Sequence, residues 1–203
     1  AALEELTQTN EYIEDILERP SQVYLYSTNK LILRNITSER TFTSAEDKIY
    51  FLCELAWEMI RSGKLQIHYK SISDRIKHYF NIETQSELDH WDYDLRNQTL
   101  LHRDAKGYYE FAHKSLAEYF VAFKFAAELG CLDSQFSNAY RERNGKPATI
   151  PFRPKRVADL SETFGLISLK DAKMSAIRTF LSAMVSKDAP GLLWRIIDES
   201  SGK

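Results

Sequence analysis

The stretch "TLLHRDAKGYYEFAHKSLAEYFVAFKF", Thr99 to Phe125, changes its hydrophobic period midway, and that change decides the fold. "TLLHR" and "YYEF" alternate like two short strands. Between them "DAKG" ends on Gly107, which suits the positive φ of a tight hairpin. From Ser115 to about Leu129 the pattern turns helical, and it stops at Gly130. Ser115 and Glu118 have the spacing of a capping box. Leu116, Tyr119, Phe120, Phe123 and Ala127 make one apolar face, which Val121, Ala122, Phe125 and Ala126 widen to most of the circumference. A surface helix carries a narrower stripe. This helix is therefore expected to be covered on two sides, by the hairpin's own domain and by a neighbour: 1–35, 156–199 or a domain outside this sequence.

Upstream, Thr43 and Glu46 repeat the capping-box spacing before a helix to about Arg61, with Ile49, Leu52, Cys53, Leu55, Ala56, Met59 and Ile60 on its apolar face and Gly63 at its end. "KLQIHY" alternates like a short strand. Ser71 with Asp74, and Thr84 with Glu87, open two further helices by the same spacing. Helix, short strand, two helices and a hairpin make a helical core followed by a two-stranded wing, a winged-helix arrangement, here with an extra helix after the wing, over about 43–130. The expected fold is mainly α, with a short β-hairpin wing flanked by helical segments. Residues 1–42 form a helical segment, with helices at 1–19 and 21–33 and Pro20 opening the second. Residues 131–203 form an accessory helical region, with helices at 133–141, 156–164, 171–186 and 189–199. "RERNGKPATIPFRPKR", 141–156, carries six Lys/Arg against one Glu and three prolines, and reads as a connector.

Composition narrows the function. The chain has 203 residues, a formal charge of −2 and a pI near 6.3, which gives no global pull toward nucleic acid or anionic lipid. Cys53 and Cys131 lie in apolar helical contexts and read as buried thiols of a reducing compartment. Nothing resembles a signal peptide or a run of about 18 apolar residues, so the expected location is cytoplasmic, away from membranes. The opening "AALEEL" lacks a methionine, and the chain reads as part of a longer protein.

No catalytic constellation stands out. GxxxxGK[ST], GxGxxG and GxSxG are missing. The five histidines, His68, His78, His90, His102 and His113, fall too far apart for a ligand pair on one helix turn, so no metal site is expected. A winged helix invites DNA binding, through Lys70, Arg75 and Lys77 of "KSISDRIKHYF". Asp74 and the run Glu83, Glu87, Asp89, Asp92 and Asp94 oppose it by charge, so nucleic acid is not expected to bind through this domain. His113 remains. At the junction of strand and helix it sits near free backbone N–H groups, where an imidazole can donate to a phosphate oxygen. The plainer alternative has it capping a backbone carbonyl in a packed junction.

"FLCELAWEMIRSG", "YIEDILERP" and the hairpin-to-helix stretch from Leu100 to Phe125 together resemble the C-terminal half of a NACHT module, the core of the STAND class of signal-transduction NTPases. The resemblance covers about 1–130. It implies a winged helix that folds over a nucleotide in the closed state, with His113 at the position that touches the β-phosphate of ADP and Pro20 near the base. It implies ATP or ADP, with Mg, for the full-length protein, a nucleotide-binding core elsewhere in the same chain, and a homo-oligomer in the active state of an antiviral or immune defence protein. Walker A and Walker B are not in this sequence, so no cofactor is assigned to the segment itself and it is expected not to be an enzyme alone. The leading expectation is a regulatory part of a NACHT-type ATPase. The alternatives are a winged-helix DNA-binding transcriptional regulator and a structural adaptor in which His113 is buried.

Overall fold

Proline has no N–H to leave unbonded at a helix start, and α1 (Pro20–Ile36) begins on Pro20. The computed structural model describes residues 20–36, 44–96, 100–141, 152, 155 and 174–186. The helices expected at 1–19, 156–164 and 189–199, and all of the basic connector except Arg141, Phe152 and Lys155, lie outside these residues. Among the described side chains of α1, Ser21, Leu25 and Thr28 are buried, on one helical stripe.

The second helix, α2 (Ala45–Ser62), is capped by Ser44, whose hydroxyl accepts from the Asp47 N–H at 3.0 Å. The cap expected at Thr43 is thus displaced by one residue. Gly63 closes the helix at φ 67°, a conformation open to glycine at little cost. A short strand, β1 (Ile67–His68), leads through a 3-10 turn (Tyr69–Ser71) into α3 (Ile72–Phe80). Here the expected capping box does not form. Ser71 is already in the helical region and makes no side-chain cap, because the turn runs straight into the helix. Thr84 does cap α4 (Gln85–Arg96), accepting from the Glu87 N–H at 3.3 Å and bonding the Glu87 carboxylate at 2.5 Å.

The hairpin follows as β2 (Leu101–Arg103) and β3 (Tyr108–Phe111). It joins the first strand in one antiparallel sheet of order β1-β3-β2, with Ile67 opposite Tyr109 and Leu101 opposite Phe111. Gly107 turns the corner at φ 89°, and a Cβ there would lie 2.7 Å from Tyr69 Cδ1. Both the dihedral and the close ring demand glycine. Asp104 completes the turn by accepting from the N–H groups of Lys106 and Tyr108. Those bonds, the one from Tyr108 foremost, hold its carboxyl below the usual range.

After the hairpin come α5 (Lys114–Glu128), α6 (Ser134–Arg141) and α7 (Ser175–Met184). Every residue of α5 from Ala117 to Glu128 is buried. The expected second cover comes from this chain itself. Helix α2 lies on one side, with Trp57 edge-on to Phe125 at 5.3 Å, and α7 on another. Tyr24 of α1 stacks on Tyr119 at 5.6 Å, and Phe180 of α7 meets both rings edge-on, so three helices close over one aromatic cluster. A single hydrophobic core runs from Leu25 to Met184. Within it the ammonium of Lys48 lies 3.5 Å from the Asp94 carboxylate, both side chains almost sealed from solvent, and this pair ties α2 to α4. Cys53 and Cys131 are buried free thiols, and burial pushes the Cys53 thiol well up. Among the described residues, then, the chain is mainly α-helical with a small three-stranded antiparallel sheet.

Candidate functional site

The junction at His113 is built from the sheet outward. Strand β3 ends at Phe111, and the Ala112 N–H still donates to Leu100 O at 3.0 Å, holding the chain against β2. His113 then takes an extended conformation, φ −148° and ψ 142°, the geometry of an N-cap residue. Its Nδ1 accepts from the Ser115 N–H at 3.2 Å, and its carbonyl accepts from the Leu116 N–H at 3.0 Å. The imidazole is itself the cap of α5. This corrects the capping box expected at Ser115 and Glu118. Ser115 lies inside the first turn, and Glu118 pairs with Lys114 at 3.0 Å.

The bond at Nδ1 selects the tautomer. With that lone pair engaged, the neutral ring carries its proton on Nε2. The side chain is exposed, so this N–H is a donor on the outside of the molecule. Neither the carbonyl cap in a packed junction nor the buried ring of an adaptor describes this residue. Pro20, the other residue singled out by the resemblance, is the first residue of α1. It and His113 thus stand at the starts of two different helices. Beside Pro20, Ser21 is buried, and its hydroxyl has no hydrogen-bond partner among the described residues.

As a fit for a nucleotide, the described residues offer one outward donor at His113. Their positive-φ glycines, Gly63, Gly107 and Gly130, serve a helix end, the hairpin corner and the stop after α5. A triphosphate with Mg would need groups other than these. Among the described residues no group of three or more His, Cys, Asp or Glu side chains could hold a metal ion.

Of the basic side chains of α3, Arg75 is engaged while Lys77 is exposed. Arg75 forms a two-pronged ion pair with Glu58 of α2, and Tyr79 donates to the same carboxylate at 3.1 Å. The Arg75 hydrogen bonds hold the Glu58 carboxyl below its ordinary value. One of the three cations considered for phosphate contact is therefore already paired with a carboxylate.

A second constellation escaped the sequence reading. Lys124 of α5 is 5 % exposed and bonds both Glu54 of α2 and, at 2.7 Å, Glu128. Burial works against its charge, but the two carboxylates outweigh burial and its pKa rises. Tyr50 beside it is pushed up to about 12, by burial first and by Glu54 second. These groups line a cavity of about 280 Å3, with Trp57, His78, Tyr79 and Lys155 completing the wall. The signal was present: Lys124 and Glu128, four residues apart, are charges on a helix apolar around most of its girth. Such charges need partners when buried.

No protein-family model matches the chain, and no solved structure matches it. The chain is similar to an uncharacterized WD repeat-containing protein of Nostoc sp. (strain PCC 7120), 46 % identical over 127 residues. The match takes in 62 % of this chain but 8 % of the Nostoc protein, so the chain corresponds to a small part of a much longer polypeptide.

Proposed function

We propose that this chain is the regulatory winged-helix and helical portion of a NACHT-type STAND ATPase, and that His113 reads the nucleotide state of a core elsewhere in the same protein. The single observation behind this reading is the imidazole at the hairpin-to-helix junction. Its Nδ1 is spent on capping α5, and the residue as a whole is exposed. A ring fixed in this way can donate to a phosphate oxygen with little further ordering, and the start of α5 adds a favourable dipole. The order of α2, β1, α3, α4, the hairpin and α5 agrees with a winged helix. Similarity to a small part of a long WD repeat-containing protein agrees with a module of a multidomain chain.

In this reading the closed, ADP-bound protein keeps the winged helix over the nucleotide. Release of the His113 contact favours opening and assembly into the homo-oligomer that signals in defence. A hydrogen bond to a charged phosphate contributes about 1.5–3 kcal/mol, enough to shift a two-state equilibrium at least about tenfold. In the full-length protein, His113→Leu is expected to raise the oligomeric fraction at fixed ADP by about that factor, as measured by light scattering after size exclusion. An unchanged oligomer distribution would remove His113 from the switch.

A further inference from the structure

Helices α2 and α5 leave a groove between them, and two residues of the basic connector sit in it. Phe152 lies edge-on to Tyr50 at 5.3 Å and tilts against Phe123 at 5.6 Å. Three positions on, the Lys155 N–H donates to the Glu128 carbonyl at 2.6 Å, and the Lys155 ammonium donates to the Glu128 carboxylate, also at 2.6 Å. Glu128 is the last residue of α5, where carbonyls have no partner within the helix and a cation meets the negative end of the dipole. One short segment therefore makes a ring contact, a backbone bond and a charged bond on the same groove. The groove's own charges match that occupant. Glu54 and Glu128 face Lys124 and Lys155, two against two. Removing Lys155 leaves two carboxylates against one ammonium, beside the rings of Tyr50, Trp57 and Tyr79. Such a surface is complementary to one more cation carried next to an aromatic ring.

We propose that the groove between α2 and α5 is a docking site for a peptide segment bearing an aromatic residue followed three positions later by a lysine, and that Phe152 and Lys155 fill it in cis as a removable plug. Half of the Lys155 side chain stays exposed, 49 %, so the charged end is open to competition from solvent. Specificity comes from the spacing. The ring must reach the Tyr50–Phe123 wall while the ammonium reaches Glu128 at the helix end. A segment with the same charge in another order does not satisfy both.

The test uses the whole chain and a labelled peptide of residues 149–158, "TIPFRPKRVA", followed by fluorescence anisotropy. The Phe152→Ala, Lys155→Ala double variant is expected to bind it at least tenfold more tightly than wild type, where Phe152 and Lys155 already make the ring and ammonium contacts. Adding Glu128→Gln should then weaken binding at least fivefold, and a scrambled peptide of equal charge should bind at least tenfold more weakly than the native order. Equal affinity of wild type and double variant would overturn the plug. Equal affinity for the scrambled peptide would reduce the groove to non-specific charge. Thermal unfolding checks that the double variant folds. If it does not, Lys155→Ala alone, at a half-exposed position, must still gain peptide affinity over wild type, and no gain would equally overturn the proposal.

Discussion

At the scale of single residues, one side chain often carries two tasks that sequence separates poorly. Glu58 is an example: nothing in the pattern of α2 singles it out, yet it receives Arg75 and Tyr79 of α3. Its lowered pKa makes the contact a pH-dependent part of stability. The folded-state pKa lies below the unfolded value of about 4.3. The stabilisation is therefore fully present above the unfolded value and is lost as pH falls through the folded one. Because the pair is partly exposed, Glu58→Gln is expected to cost only about 1 kcal/mol at neutral pH. In urea titrations from pH 7 to pH 3, the gap between wild type and variant should hold above about pH 5 and close below it. A gap that stayed constant to pH 3 would mean that the stabilisation does not depend on the Glu58 charge.

At the scale of elements, the legible parts were those whose signal is local. Gly63, Gly107 and Gly130 each ended or turned a segment where the sequence placed them, and all three have positive φ. The alternation in "KLQIHY" was enough to find β1, though not its pairing beside β3, because pairing depends on residues 40 positions away. Capping boxes were read with less success. A hydroxyl and an acid three apart occur often, and only Thr84 with Glu87 formed the expected cap. Ser44 took the place of Thr43, and His113 took the place of Ser115, a cap type outside the usual Ser, Thr, Asp and Asn set. The charged cavity was illegible for a different reason. Glu54 and Lys124 meet across 70 residues, and sequence order alone gave no reason to join them. The hairpin offers the cleanest test of a local reading. Gly107→Ala puts a Cβ against Tyr69 and a side chain at φ 89°, and is expected to cost more than about 1 kcal/mol. The loss should appear as a lower urea midpoint at unchanged slope. A midpoint equal to wild type would show that Tyr69 moves aside freely.

At the scale of the whole molecule, α5 is the axis on which the rest is arranged. It receives α2, α7 and the aromatic cluster of α1 along its length, holds His113 at one end, and holds Glu128 with the Lys155 segment at the other. Its buried charged residues, Glu118, Lys124 and Glu128, are matched by ion pairs, so α5 buries most of its surface and still presents a defined group at each end. The proposed switch uses the first of these ends. Its central claim is that His113 does two separable things: Nδ1 caps α5, and Nε2–H reads the nucleotide. Two variants divide them. His113→Asn keeps a good N-cap, but its amide N–H stops short of the Nε2 position, while His113→Gln places an amide N–H near that position and gives up a favoured cap. The decisive measurement is ADP affinity by calorimetry in the full-length protein carrying each variant, with unfolding midpoints recorded alongside. His113→Asn is predicted to lose at least about tenfold in ADP affinity with stability unchanged, and His113→Gln to retain ADP while losing about 1 kcal/mol of stability. Full ADP affinity in His113→Asn would contradict the account, leaving His113 as the cap of a helix and no more.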